Sequence, residues 1–280
     1  LYAFEQGITH FDLANNYGPP PGSAETNFGK ILKKNLASHR DEMIISSKAG
    51  HRMWEGPYGD GSSRKYLMAS IDQSLQRTGL EYFDIFYSHR YDPYTPIEET
   101  MQALVDIVHQ GKALYVGISK YPPLQAIEAM TYLKEHDVPC LIFQDRYNMF
   151  QREPEKEILN IANKFGAGFI AFSPLAQGIL TDKYLNGIPE HSRAADPTGF
   201  LRREQVTDQL IEKVKKLNEI ATQREQTMAE MALAWVLRDE RVTSVIIGAR
   251  NVNQIKDNLK ALENLSFSQA ELSRIDSILN

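Results

Sequence analysis

The 280-residue sequence contains one cysteine, Cys140, with no CxxC partner. A lone thiol forms no intrachain disulfide and founds no cysteine zinc site, so a disulfide scaffold is excluded and a reducing, cytoplasmic setting is expected. No uninterrupted apolar run approaches the roughly 20 residues of a membrane helix. Nor is there a run of Lys and Arg: the net charge of −5 and pI of about 5.9 argue against a nucleic-acid or anionic-membrane partner. The dinucleotide fingerprint GxGxxG is absent, which leaves the open nucleotide-binding sheet without its signature. No Pro/Gly/Ser-rich linker interrupts the chain, so residues 1–280 read as one domain. With 42% hydrophobic residues a continuous core is affordable and disorder is not expected.

What is present is a rhythm. Short apolar strands are expected at Ile8 to Ala14, Met43 to Lys48, Phe83 to Ser88, Ala113 to Ser119, Leu141 to Gln144, Phe169 to Ser173 and Val245 to Gly248, each followed by a helical segment. Helical periodicity is clearest in Ile71, Leu75 and Leu80 after Ser70, and in Met101, Leu104, Val105 and Val108 after Pro96, with Glu98 and Glu99 in the first turn. Such alternation predicts a parallel sheet covered by helices. Leu1 to Gly7 reads as the last turns of a helix closed by glycine. Its strand would lie upstream, making eight units and a (β/α)8 TIM barrel whose N-terminal strand is not within residues 1–280; only if the protein truly began at Leu1 would closure, folding and activity not be expected. The longest irregular stretches, His51 to Ser62 and Gly187 to Val206, fall on the catalytic rim of such a barrel.

Polar residues at the C-terminal ends of strands are the ones to question in this architecture. Asp12, Tyr17, Lys48 and His89 all sit there. A phenol is a poor acid near neutrality, but an adjacent ammonium stabilises the phenolate. A buried Lys48 needs a counter-ion, and Asp12 on the neighbouring strand supplies one. His89 could then hydrogen-bond a substrate carbonyl oxygen. Together these make a proton-donating site for a carbonyl. Taken singly they are ordinary: Lys48 and Asp12 as a rim salt bridge, Tyr17 as a loop anchor, His89 as a core histidine. Two other chemistries stay open. His10 and Asp12 share one strand face as metal ligands do, although Lys48 would repel the cation and no metal is expected. Lys48 could also be a Schiff-base nucleophile.

The segments Phe11-Asp12-Leu13-Ala14-x-x-Tyr17-Gly18, Ser47-Lys48, Tyr87-Ser88-His89-Arg90, Val116-Gly117-Ile118-Ser119 and Ala171-Phe172-Ser173-Pro174-Leu175 resemble the aldo-keto reductases over nearly the whole chain. Gly56-Pro57-Tyr58-Gly59, Ser63-Arg64-Lys65-Tyr66 and Pro174-Leu175-Ala176-Gln177-Gly178 are similar to the branch that holds the potassium-channel β subunits and the bacterial L-glyceraldehyde-3-phosphate reductases. The resemblance implies NADPH-dependent aldehyde reduction with Tyr17 as general acid, Lys48 and Asp12 tuning it, and His89 orienting the carbonyl. The channel subunits carry Asn at the place of His89, which favours the reductase; a regulatory NADPH-binding subunit is the alternative.

The same resemblance implies that Ser119 and Gln144 hold the nicotinamide carboxamide and that Phe172 stacks on its ring. Ser173, Leu175, Gln177 and Gly178 would follow the pyrophosphate, with Lys183 and Arg193 adding positive charge. Gly248 and Arg250 open a helix that would hold the 2′-phosphate, and Gln254, Asp257 and Asn258 would surround adenine and ribose. Read without the resemblance, that stretch is a polar helix start. Trp54 and Arg90 would shape the pocket for a small aldehyde, such as L-glyceraldehyde 3-phosphate or methylglyoxal. The branch forms tetramers or larger rings. Two departures from the family's pattern stand out: residues 1–280 do not include its first strand and the cofactor-contacting loop, and Asn148 to Glu155 is short for the family, each readable as an omitted segment or as a deletion.

Overall fold

The computed structural model describes residues 1–190, 192–196 and 201–280. The chain groups into two compact units: Leu1–Asp145 with Glu157–Phe169, and Arg146–Lys156 with Ile170–Asn280.

The first unit begins with α1 (Tyr2–Glu5), closed as expected near Gly7 at φ +84°. It continues through β1 (His10–Asp12), α2 (Ser23–Ile31), β2 (Ile44–Ala49), α3 (Arg64–Thr78), β3 (Phe83–Ser88), α4 (Ile97–His109), β4 (Ala113–Ser119), α5 (Pro123–Glu135), β5 (Cys140–Arg146) and α6 (Ile158–Phe165). β1 to β5 pair in parallel, each with the next in the chain. Parallel strands covered by helices bury both faces, which is why β3 reads FDIFYS with little alternation. α4 buries Ile97, Met101, Leu104, Val105 and Ile107 and keeps Glu98 and Glu99 in its first turn, where carboxylates suit the helix dipole. α3 begins earlier than Ser70: the Ser63 hydroxyl accepts from Tyr66 N, and Ser70 lies buried in the helix.

Register decides which side chains meet. Asp12 lies beside Ser46, Lys48 beside Tyr87, and Ser119 beside Gln144. Because strand residues alternate faces, His10 and Asp12 share a side of β1, and Ser46 and Lys48 share a side of β2. The buried Glu25 ties α2 to β2 and α3, accepting from Ser47 Oγ at 2.5 Å and from the part-buried Arg77 Nε at 2.6 Å.

In the second unit, β6 (Gly168–Phe172), whose first two residues belong to the first unit, pairs in parallel with β7 (Ser244–Val245). β7 is shorter than the expected Val245 to Gly248, although Ile246 N still donates to Ala171 O. α7 (Asp208–Gln223), α8 (Met228–Leu237), α9 (Val252–Leu259) and α10 (Gln269–Leu279) complete it. α8 is apolar almost all round, with Met228 and the run from Glu230 to Val236 buried, and its start is fixed by reciprocal Thr227 and Glu230 caps. Of the loop from Gly187 to Val206, residues 191 and 197–200 lie outside the described residues.

Gly29 shows how closely α2 approaches α3. A Cβ there would stand 2.4 Å from the Thr78 carbonyl oxygen, a backbone atom that cannot swing aside. Gly29→Ala gains about 1 kcal/mol in helix propensity and incurs overpacking of about 1–3 kcal/mol. The expected outcome is a lower melting temperature by thermal circular dichroism, and an equal or higher one contradicts the contact.

Candidate active site

Lys48 is fully buried on β2, and its ammonium pairs with Asp12 Oδ2 from the adjacent strand. Desolvating such a charge costs several kcal/mol unless close partners repay it. Asp12 is itself anchored: its Oδ1 accepts from Ser46 Oγ at 2.7 Å and from Gln144 Nε2 at 3.3 Å. The Lys48 nitrogen lies 5.2 Å from the Tyr17 ring centroid and 5.5 Å from that of Tyr87. Tyr17 follows β1 in a turn whose N–H donates to Ala14 O, and at 38% exposure its phenol remains reachable from solvent. The Tyr17 and His89 rings stand edge to face, 5.9 Å apart. The four residues expected to carry chemistry are therefore assembled within the first unit.

His89 is held neutral. Burial drives its pKa far below the ordinary histidine value, and the cations Lys48, Lys120 and Arg90 act in the same direction. Among the described residues its buried Nδ1 has no hydrogen-bond partner. His51, which no sequence signal marked beyond its place in a loop, packs edge-on to His89 with ring centroids 4.5 Å apart. Burial, then Arg90 and Lys120, lower its pKa to about 4. Arg90 clamps the His51 to Ser62 loop, donating to Gly50 O at 2.6 Å and to Asp60 Oδ1 at 2.8 Å. Trp54, in that loop, packs at 5.1 Å against Tyr66.

Ser119 ends β4 fully buried, and its hydroxyl has no hydrogen-bond partner among the described residues; Gln144 is buried on β5 with its amide on Asp12. The remaining candidates belong to the second unit. Phe172 ends β6 half-buried, with the Arg146 guanidinium 5.5 Å from its ring centroid. The next residues form a strained loop: Ser173, Ala176 and Gln177 have φ of 53°, 47° and 59°, and Gly178 follows at 99°. Non-glycine residues in the left-handed region persist only where surroundings impose them, a pattern frequent at ligand-binding loops. Leu175 lies in that loop half-buried, and Lys183 is exposed in the short turn Asp182–Tyr184. The Arg193 guanidinium lies 3.9 Å from where a Cβ of Gly248 would stand, so these two candidates meet. At the start of α9, Gln254 serves the cap: its Oε1 accepts from Arg250 N at 2.8 Å while its own N–H donates to Asn251 Oδ1. Asp257 pairs with Lys260, and Asn258 is half-buried on the same helix.

Besides His51, two residues that build the site are not marked by the sequence pattern. Ser46 stands two positions before Lys48, on the same strand face, and holds Asp12. Tyr87 lies beside Lys48 and is packed where a Cβ on Gly117 would stand 2.5 Å from its ring. Among the described residues, no group of three or more His, Cys, Asp or Glu side chains could hold a metal ion, and no helix is long and apolar enough to cross a membrane.

A buried lysine between an aspartate and a tyrosine, beside a neutral histidine on parallel strands, accords with what the whole sequence matches. The chain belongs to the aldo/keto reductase family, whose sequence pattern matches residues 1–280. It is therefore an oxidoreductase of the parallel α/β barrel class. It is 56% identical over 278 residues to L-glyceraldehyde 3-phosphate reductase of Escherichia coli O157:H7, covering 98% of this chain and 80% of that protein. The protein of that name from Escherichia coli strain K12 is 55% identical over the same span.

The two histidines make stability depend on pH. Folded His51 and His89 stay neutral, whereas in the unfolded chain they take up protons near the ordinary value of about 6.5. The unfolded state then binds more protons, so stability is full above that value and falls as pH drops, for His51 down to about 4. The urea midpoint is expected to decrease from pH 7 to pH 5, and His51→Gln to shrink that decrease; an unchanged pH dependence contradicts the assignment.

Proposed function

We propose that the chain reduces small aldehydes with NADPH, Tyr17 acting as general acid. The observation that carries this reading is the buried Lys48 ammonium, fixed by Asp12 and placed 5.2 Å from the Tyr17 ring. An ammonium beside a phenol lowers the cost of releasing the phenolic proton. A neutral His89 keeps an N–H to donate to the carbonyl oxygen, which orients the substrate and stabilises the negative charge that develops there. NADPH, when bound, supplies the hydride that adds to the carbonyl carbon. The Tyr17 O–H bond breaks as its proton passes to the carbonyl oxygen, giving the alcohol and leaving a phenolate facing Lys48.

The residues present fit such a cofactor. The unpartnered Ser119 hydroxyl and the Gln144 amide suit a carboxamide. The strained loop of Ser173, Leu175, Gln177 and Gly178 suits a pyrophosphate, and Lys183, Arg193 beside Gly248, and Arg250 offer charge to phosphates. Phe172 would stack on the nicotinamide ring, with Gln254, Asp257 and Asn258 toward adenine and ribose. On this reading residues 1–280 act as a single barrel domain. The substrate is a short phosphorylated aldehyde, L-glyceraldehyde 3-phosphate, or methylglyoxal. Two observations favour the phosphorylated compound: the names of the similar Escherichia coli proteins, and the cations Lys48, Lys120 and Arg90 around His89. Trp54 and Arg90 would line its pocket.

NADPH oxidation against a panel of aldehydes, including both glyceraldehyde 3-phosphate enantiomers, tests the reading. Tyr17→Phe is expected to lower kcat by roughly 10²–10⁴, the range of general-acid catalysis. Full turnover in that variant refutes the assignment. Arg250→Ala is expected to raise KM for NADPH and leave that for NADH nearly unchanged, since only NADPH carries the 2′-phosphate; equal effects on both remove Arg250 from that role.

A further inference from the structure

His10 lies outside the proton-donating set, yet it is hydrogen-bonded into it. Its Nε2 stands 3.0 Å from Ser46 Oγ, which stands 2.7 Å from Asp12 Oδ1, while Asp12 Oδ2 takes the Lys48 ammonium. A serine hydroxyl has one proton to give, and an ionised carboxylate can only accept. The Ser46 proton therefore points at Asp12. A lone pair of Ser46 is left facing His10, and only an N–H on Nε2 completes that contact.

We infer that His10 is a positioning residue for the reduction, acting in its Nε2–H form through Ser46 and Asp12 on Lys48 and Tyr17. The inference rests on the proposed role of Tyr17. The zigzag across β1 and β2 follows from their register, which sets Asp12 beside Ser46 and lets the i and i+2 side chains of each strand share one face. The titratable groups that act on His10 are Asp12 on its own strand, Lys48 on β2 and Asp84 on β3. Burial lowers its pKa and outweighs the raising effect of Asp12, so the ring is neutral and carries one N–H, whose position then matters. Chained hydrogen bonds polarise one another. The His10 N–H makes Ser46 a stronger donor, which draws charge on Asp12 toward Oδ1. Less of the Lys48 positive charge is then cancelled, and more of it acts on Tyr17.

Protein carrying ¹⁵N-labelled histidine, with the His10 signals identified by their loss in His10→Gln, reads the tautomer directly. An Nε2–H ring is expected, and an Nδ1–H ring overturns the relay while leaving Tyr17 untouched. Turnover in Tyr17→Phe, conversely, removes the general acid without altering the nitrogen shifts. In kinetics, His10→Leu is expected to lower kcat/KM roughly fivefold, the size of one ordinary hydrogen bond, and to move the alkaline limb of its pH profile upward by several tenths of a unit. His10→Gln, which keeps an N–H near the same place, is expected to recover most of both. Adding His10→Leu to Ser46→Ala should cost nothing further. A rate loss with an unmoved alkaline limb, a Gln variant as poor as Leu, or additive losses with Ser46→Ala would each overturn the assignment.

Discussion

A charged amine with no solvent exposure is the constraint on which the site depends. Lys48 is buried completely, and Asp12 answers it from the adjacent strand. Removing an ammonium from water carries a penalty of several kcal/mol, repaid only by a close, well-hydrogen-bonded opposite charge. β1 and β2 therefore have one acceptable register. A slip of one residue would turn Asp12 to the other face and leave Lys48 buried without a counter-ion. Ser46 and Gln144 complete the requirement by satisfying the other carboxylate oxygen, so β5 is drawn into the same arrangement.

The surroundings of the pair follow the same logic. Tyr87, on β3, is fully buried with its ring near Lys48, and burial together with the Asp12 charge pushes its phenol well above the ordinary tyrosine range, so it stays neutral. It occupies space that Gly117 leaves free on β4. Of the two tyrosines whose rings lie near the ammonium, Tyr87 is sealed and Tyr17 is reachable. That difference in exposure is what separates a packing residue from a candidate proton donor. His89 completes the group as a neutral donor, because cations and burial together keep a proton off it.

How far this could be read from sequence depended on whether a residue's role is local or set by register. The strands Phe83–Ser88 and Ala113–Ser119 coincide with their expected bounds, since buried apolar runs are legible one strand at a time. Asp12, Lys48 and His89 were legible because polar residues at strand ends are conspicuous. Ser46 and Tyr87 were not, as their importance comes from which residue the neighbouring strand sets beside them. The periodicity after Ser70 showed only the later part of α3, whose start is fixed by the bond from Tyr66 N to the Ser63 hydroxyl. β7 was overextended at Gly248, which lies beyond the paired residues and against Arg193. The chain-wide family match extends beyond these local readings, since it rests on motifs distributed over all 280 residues.

The central claim is that Asp12 and Lys48 act as one unit on Tyr17. A double-mutant cycle on kcat/KM for an aldehyde, with Asp12→Asn, Lys48→Met and the pair combined, tests it most directly. The account predicts that each single change removes most of the activity and that the combined variant is little worse than Lys48→Met alone. Independent losses that multiply in the double variant, or near-parental activity in Lys48→Met, would contradict it.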